Sequence, residues 1–245
     1  MSVRGSIVSL TLWTTLAVDV RIVSRMVEDL VRARGPFSLR ASARLAGDAT
    51  RRFDGRILVC LFELDGRLER AACWQETDGA IALRALSEQG LERLKAVLPL
   101  EADHSEFLRR FADDELLGRA IRELRGKRPL RLGTVTQALL RAVCGQLIES
   151  RRARKIELKL IRATSPTDGV LYAPPRAEAF SGLAPAALQR FDLSARKAAT
   201  IVRTGRCASG KAWRRGRGVR PASRPHSSSS VSGRCWSASR ARRWS

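Results

Sequence analysis

Acidic side chains run out well before the chain does. From Thr204 to Ser245 there is no Asp, Glu, Leu, Ile or Phe. A segment without large aliphatic side chains cannot bury enough apolar surface to offset the entropy of ordering it, so these residues exclude a further core and read as a disordered Arg/Ser-rich tail. Histidine and paired cysteine are equally scarce. His104 and His226 are the two histidines, and Cys60, Cys73, Cys144, Cys207 and Cys235 are scattered without a Cys-x-x-Cys. That spacing excludes a structural zinc site and the four-cysteine run of an iron–sulfur cluster, leaving reduced thiols in a cytoplasmic protein with no metal and no cofactor. Long apolar runs are missing too. Ile7 to Val18 is mostly apolar, but Asp19 follows at once, the stretch is far too short to span a bilayer, and no small-x-small cleavage site marks a signal peptide. A strand or a mis-assigned start codon are the readings for it, and no membrane partner is implied.

What remains is ample for folding. With 245 residues, 44% of them hydrophobic, the chain suits two small domains that each bury a core. The net charge of +22 points to a polyanion, because basic surfaces gain affinity by releasing counterions condensed on phosphates. Its distribution tempers this: Arg206 to Arg243 supply eleven positive charges and no acid, half of the excess. The part able to fold is only moderately basic.

Hydrophobic periodicity divides the chain into four parts: an N-terminal extension (1–36), a β-rich domain (37–102), a helical domain (103–203) and the tail (204–245). In the second, Phe37 to Ala43 alternates, Arg56 to Leu64 runs apolar, Asp65-Gly66 is a hairpin-turn pair, Arg67 to Trp74 returns, and Ala80 to Leu86 follows the turn at Asp78-Gly79. An antiparallel meander is expected, then a short helix capped by Ser87 with Leu91, Leu94 and Val97 on its apolar face. The third part changes period from two to 3.6. Leu139, Leu140, Val143, Cys144, Leu147 and Ile148 recur as one helix face. Ser150 to Ala163 fits both a strand and a helix, and helix is favoured because Ala153, Ile156 and Leu160 keep the helical period. Short helices open at Pro175 and Pro185. The last is capped by Ser194 and carries Ala198, Ile201 and Val202 inward. The fold class expected is therefore α+β: an antiparallel β-rich domain, then an all-α domain.

Several of these segments carry a resemblance. The turn Arg128-Pro-Leu-Arg-Leu132, the helix Ala138-Leu-Leu-Arg-Ala-Val-Cys-Gly-Gln-Leu-Ile148 with Ala153-Arg-Lys-Ile156 behind it, Ala173-Pro-Pro175, and Leu193-Ser-Ala-Arg-Lys-Ala-Ala-Thr-Ile-Val-Arg203 resemble DNA-3-methyladenine glycosylase II. That is the alkylation-repair branch of the helix-hairpin-helix DNA glycosylases, and the β-rich segment from Phe37 resembles the extra N-terminal domain of this branch. The resemblance implies a monomer, cytoplasmic and associated with the nucleoid, that bends double-stranded DNA, flips an alkylated purine into a pocket and hydrolyses its N-glycosidic bond. Flipping costs a few kcal/mol, less at a damaged base. A base alkylated at a ring nitrogen is already cationic and departs without a general acid, so one carboxylate that stabilises the oxocarbenium-like sugar suffices.

The resemblance also nominates DNA contacts. Leu130 stands in the turn where the family inserts an apolar wedge into the gap left by the flipped base. Gln146 matches the Gly-Gln position beside the DNA-facing end of the long helix, and Arg196 and Lys197 stand near a helix N-terminus where phosphates bind. Two residues beyond Leu147, where the family usually has a serine, stands Glu149. The family's hairpin, a Gly-x-Gly turn between helices, and its catalytic aspartate about twenty residues further on are both expected downstream of Arg203. There the sequence offers Gly216-Arg-Gly218 without apolar helices around it, and no acid at all. Within the matched region Asp168, Asp192, Glu149 and Glu157 read as turn formers, helix-terminus charges or i, i+4 partners, so no catalytic residue is assigned and the helical domain is expected to be incomplete. A shift of reading frame shortly after Arg203 accounts for this composition. A genuine basic tail that strengthens DNA binding is the alternative.

Overall fold

A computed structural model of the chain describes residues 26–209. Its first half is a five-stranded antiparallel sheet in the order β1-β5-β4-β3-β2. The strands are β1 (Val27–Val31), β2 (Arg51–Phe53), β3 (Ile57–Leu64), β4 (Arg67–Gln75) and β5 (Ile81–Ala85). The centre is the hairpin β3–β4, closed where Leu64 faces Arg67. Its two turn residues, Asp65 at φ +49° and Gly66 at φ +78°, both adopt the left-handed backbone that a two-residue turn needs to match the strand twist. α2 (Glu88–Val97) crosses one face of the sheet and buries Leu91, Leu94 and Val97 against Leu58, Cys60, Phe62, Ile81 and Leu83. Ser87 caps it: its hydroxyl accepts from Gly90 N at 3.1 Å and is itself held by donating to the buried Glu69 carboxylate at 2.6 Å.

Several boundaries differ from the sequence reading, among them the short helix expected from Pro175, which begins at Glu178. Phe37 to Ala43 is not a strand: Leu39–Ala43 forms the short helix α1, started by Ser38, whose hydroxyl accepts from Ala41 N at 3.2 Å. With small side chains at Ala41, Ser42 and Ala43 either period can be packed, and the helix buries Leu39, Ser42 and Ala43 where alternation would have buried Leu39, Ala41 and Ala43. The edge strand is instead β1, inside the segment read as an extension. It pairs with β5 from Val27↔Ala85 to Val31↔Ile81. The last helix also runs on past Arg203 to Ser209. Gly205 shows why: a side chain there would meet the Ala177 carbonyl, Phe180 and Ser181 at 3.0 Å, so the helix is packed down to its backbone. Arg206 adds a bond from Nε to the Ser181 carbonyl at 3.1 Å.

The second half is helical: α3 (Ser105–Arg110), α4 (Gly118–Glu123), α5 (Val135–Gly145), α6 (Ser150–Thr164), α7 (Glu178–Ser181), α8 (Pro185–Gln189) and α9 (Ala195–Ser209). Its core joins Leu140, Val143, Ile156, Leu160, Phe180, Leu188, Ile201 and Val202. Among the described residues no helix is long and apolar enough to cross a membrane.

Polar bonds staple the halves together. Arg128 is buried in the connecting turn and its guanidinium donates to the carbonyls of Pro99 and Pro36 at 2.9 and 2.8 Å, and also to that of Arg34. Asp48 and Glu157, both buried, grip Arg141 of α5 at 2.8 and 2.9 Å. Gln137, fully buried, bonds Thr50 Oγ1 at 3.3 Å, and Tyr172 N donates to the Ala49 carbonyl at 2.9 Å.

Candidate nucleic-acid interface

The apolar face counted along α5 breaks at its last turn. Thr134 starts the helix, accepting from Gln137 N at 3.1 Å and donating to the Pro175 carbonyl at 2.8 Å. The helix stops at Gly145, so Leu147 and Ile148, which continue the 3.6 period on paper, lie in the turn before α6. Leu147 has φ +54° and is fully exposed. A left-handed backbone costs a non-glycine residue about 1–3 kcal/mol, and an exposed leucine recovers none of it by packing.

Lys197 fixes that turn from the side. Its ammonium donates to the carbonyls of Gln146 at 2.7 Å and Cys144 at 3.2 Å, satisfying groups that the end of α5 leaves open and complementing the negative end of its dipole. Across from it Arg152, in the first turn of α6, makes a fork-to-fork pair with Asp192, with bonds of 2.9 and 2.8 Å. The Arg152 guanidinium holds the Asp192 carboxyl below the usual carboxylate range. Gln146, Leu147, Ile148, Arg152, Asp192, Ser194 and Lys197 thus line one open cleft of about 560 Å³, where the end of α5 meets the starts of α6 and α9. Cys144, just beneath, is no nucleophile: burial pushes its thiol up to about 12.

The four nominated residues separate. Gln146 and Lys197 are in contact, Arg196 is exposed one residue along α9, and Leu130 lies elsewhere, half-buried against the core of the sheet. Leu147, Arg152 and Asp192 escaped the sequence reading as contributors to this surface. Leu147 was absorbed into the helical period, and the Arg152–Asp192 pair spans forty residues of sequence.

The carboxylates are engaged structurally. Asp168 closes its turn by accepting from Val170 N and Leu171 N at 2.9 and 2.8 Å and pairs with Arg70 of β4. Glu157 is buried against Arg141, not paired along its own helix. Glu149 precedes α6 without a side-chain cap bond. Asp192 is the one carboxylate lining the cleft and the last acid of the chain. Among the described residues no His, Cys, Asp and Glu group could hold a metal. The Gly216-Arg-Gly218 turn and the tail from residue 210 lie outside the described residues, as does the apolar stretch from Ile7 to Val18.

No protein-family model and no curated protein matches the chain. Solved structures do. A 3-methyladenine DNA-glycosylase from Archaeoglobus fulgidus superposes with a TM-score of 0.60 at 19% identity, over 72% of this chain and 66% of that one. MBOgg1, solved with a low-affinity DNA ligand, gives 0.57 at 14% identity over 74% and 62%. The 8-oxoguanine glycosylase/lyase of Clostridium acetobutylicum, in complex with double-stranded DNA, gives 0.54 at 14% identity over 75% and 64%. The chain therefore has the fold of DNA glycosylases and spans slightly under two thirds of the length of these neighbours.

Proposed function

We propose that the chain is a base-excision DNA glycosylase by descent, of the helix-hairpin-helix kind. It engages duplex DNA through the cleft at the end of α5, and in these 245 residues it binds without completing hydrolysis. The observation that carries this reading is Leu147: an apolar side chain, fully exposed on a left-handed turn just beyond the C-terminal end of α5, in a chain with the fold of DNA glycosylases. Leu147, in place of Leu130, is the wedge that fills the gap left by an extruded base. Gln146 stands beside it. Arg196 meets a phosphate, while Lys197 keeps the turn in place by holding two backbone carbonyls.

Alkylated purines such as 3-methyladenine are the proposed lesion class, supported by the motif resemblance and by the Archaeoglobus neighbour. Two features support inactivity. The sole carboxylate lining the cleft is clamped by Arg152, and no acid follows Asp192. Losing one preorganised transition-state stabiliser costs about 3 kcal/mol, roughly a hundredfold in rate. The protein acts as a monomer in the cytoplasm, on the nucleoid.

The test is release of free 3-methyladenine from methylated duplex by the whole chain. The expected result is little or no release, at least roughly a hundredfold below that of an intact glycosylase, together with measurable duplex binding. Turnover near that of an intact glycosylase would refute inactivity and make Asp192 the first residue to mutate. A second reading, non-specific binding by the tail alone, draws on the ten positive charges between Lys211 and Arg243. It predicts that removing residues 210–245 abolishes binding together with its salt dependence.

A further inference from the structure

A second concavity follows the other flank of α6 and shares no lining residue with the DNA-facing cleft. At about 480 Å³ it falls within the size range of small-molecule sites. Its apolar walls come from Phe53 of β2, from Tyr172, and from Leu158 and Ile161 of α6. Three arginines stand on it, Arg52, Arg154 and Arg162. All three are exposed, and none of their guanidiniums has a hydrogen bond or ion pair among the described residues. The two acids in its lining cannot neutralise them. Asp48 and Glu157 are already held by Arg141 at 2.8 and 2.9 Å, and Asp48 also by Arg51 at 3.4 Å. The field of the cleft is therefore positive, over a floor whose own charges cancel.

Arg154 and Arg162 are eight residues apart on one helix, so their backbones stand about 12 Å apart, with Leu158 midway between them. Two guanidiniums flanking Leu158, both free to swing towards one phosphate, beside an aromatic and aliphatic wall match a ligand with a single phosphate and a flat ring next to it. Guanidinium forks recognise phosphate oxygens in pairs, and aromatic side chains accept any base face. A duplex is too wide to enter such a concavity, whereas one nucleotide fits.

We infer that this cleft is a binding site for a nucleoside phosphate, with the base against Tyr172 and Phe53 and the phosphate held by the arginines of α6. The inference does not depend on the DNA-facing cleft, with which it shares no side chain. The full chain is titrated with radiolabelled adenosine monophosphate in equilibrium dialysis, beside the double variant Arg154→Glu/Arg162→Glu, the conservative Arg154→Lys/Arg162→Lys and the remote control Arg93→Glu. The basic tail is common to all four proteins, so differences report the cleft. One saturable site is expected, weakened at least tenfold by charge reversal, less than threefold by lysine and unchanged in the control. An unaltered Tm in the reversed variant shows that folding is intact, as both side chains are exposed. An azido-adenosine monophosphate should crosslink to the peptide carrying Tyr172. Competition by a 5′-phosphorylated oligonucleotide identifies a strand end as the source of the nucleotide, and failure to compete identifies the free nucleotide. Affinity equal in the wild-type and charge-reversed proteins, or no saturable site in either, overturns the inference.

Discussion

The sheet half of this molecule is closed and the helical half is not. Of the ten large hydrophobic residues exposed among the described residues, Leu30 and Leu45 belong to the sheet half, and the other eight, from Phe107 onward, belong to the helical half. α3 buries none of its residues, and Leu116, in the loop before α4, is 89% exposed. By contrast every inward position of β3, β4 and β5 meets α1, α2 or the neighbouring strands. The difference teaches where stability and recognition reside. A fully covered sheet supplies a rigid platform, and the helices stapled to it carry the exposed, adaptable surface from which binding sites are drawn.

The largest test of that contrast is Phe180→Ala. Phe180 is 1% exposed at the centre of the helical core, so its truncation should cost about 3–5 kcal/mol and split calorimetric unfolding into a low helical transition and a sheet transition left in place. A single transition shifted as a whole would mean that the staples make the halves one cooperative unit. Next is Arg141→Met, which removes the ion-pair partner of buried Glu157 and leaves Asp48 with Arg51. A loss of about 3 kcal/mol in urea denaturation is expected, near the low end for broken buried pairs because Arg141 is itself half-buried. Gly205→Leu, where the nearest neighbours stand at 3.0 Å, should cost about 1–3 kcal/mol of the helical transition. No effect there would show that the fold ends before Gly205.

Asp168→Asn probes the joint between the halves through pH. Burial raises the Asp168 pKa, but the bond from Arg70 and the backbone N–H groups of Leu171 and Val170 outweigh it, and the net value is lowered. A lowered folded-state value means that the carboxylate stabilises the protein above its unfolded pKa of about 4 and loses that contribution as the pH falls through the folded value. The variant should therefore be less stable by about 1 kcal/mol at neutral pH, and the gap should close in acid. A gap independent of pH would contradict the assignment.

Much of the sheet was legible because its signals are local. Asp65-Gly66 between apolar runs marks the hairpin, and Ser87 before a 3.6-period run marks α2. β1 was not legible: its partner β5 lies some fifty residues away, and the burial of Val27 and Val31 depends on that pairing. α1 hid behind small residues that suit either period. In the helical half the long elements followed from periodicity, including α6, where helix and strand competed. The site was half legible. Gln146 and Lys197 meet through the Gln146 carbonyl, while Leu130 is half-buried against the sheet core and Leu147 is bare. Periodicity cannot say where a helix stops, and at Gly145 the stop converts a predicted core leucine into an exposed one.

The smallest expected effect on stability is also the most telling for function. Leu147→Ala removes an exposed side chain and should change stability by less than about 0.5 kcal/mol. The decisive measurement is therefore duplex affinity of a chain lacking residues 210–245, with Leu147 and with alanine in its place, across a salt series. Binding that survives removal of the tail and falls at least fivefold with Leu147→Ala is the result predicted for a glycosylase fold that grips DNA at the end of α5. Binding that vanishes with the tail, or that ignores Leu147, would contradict it.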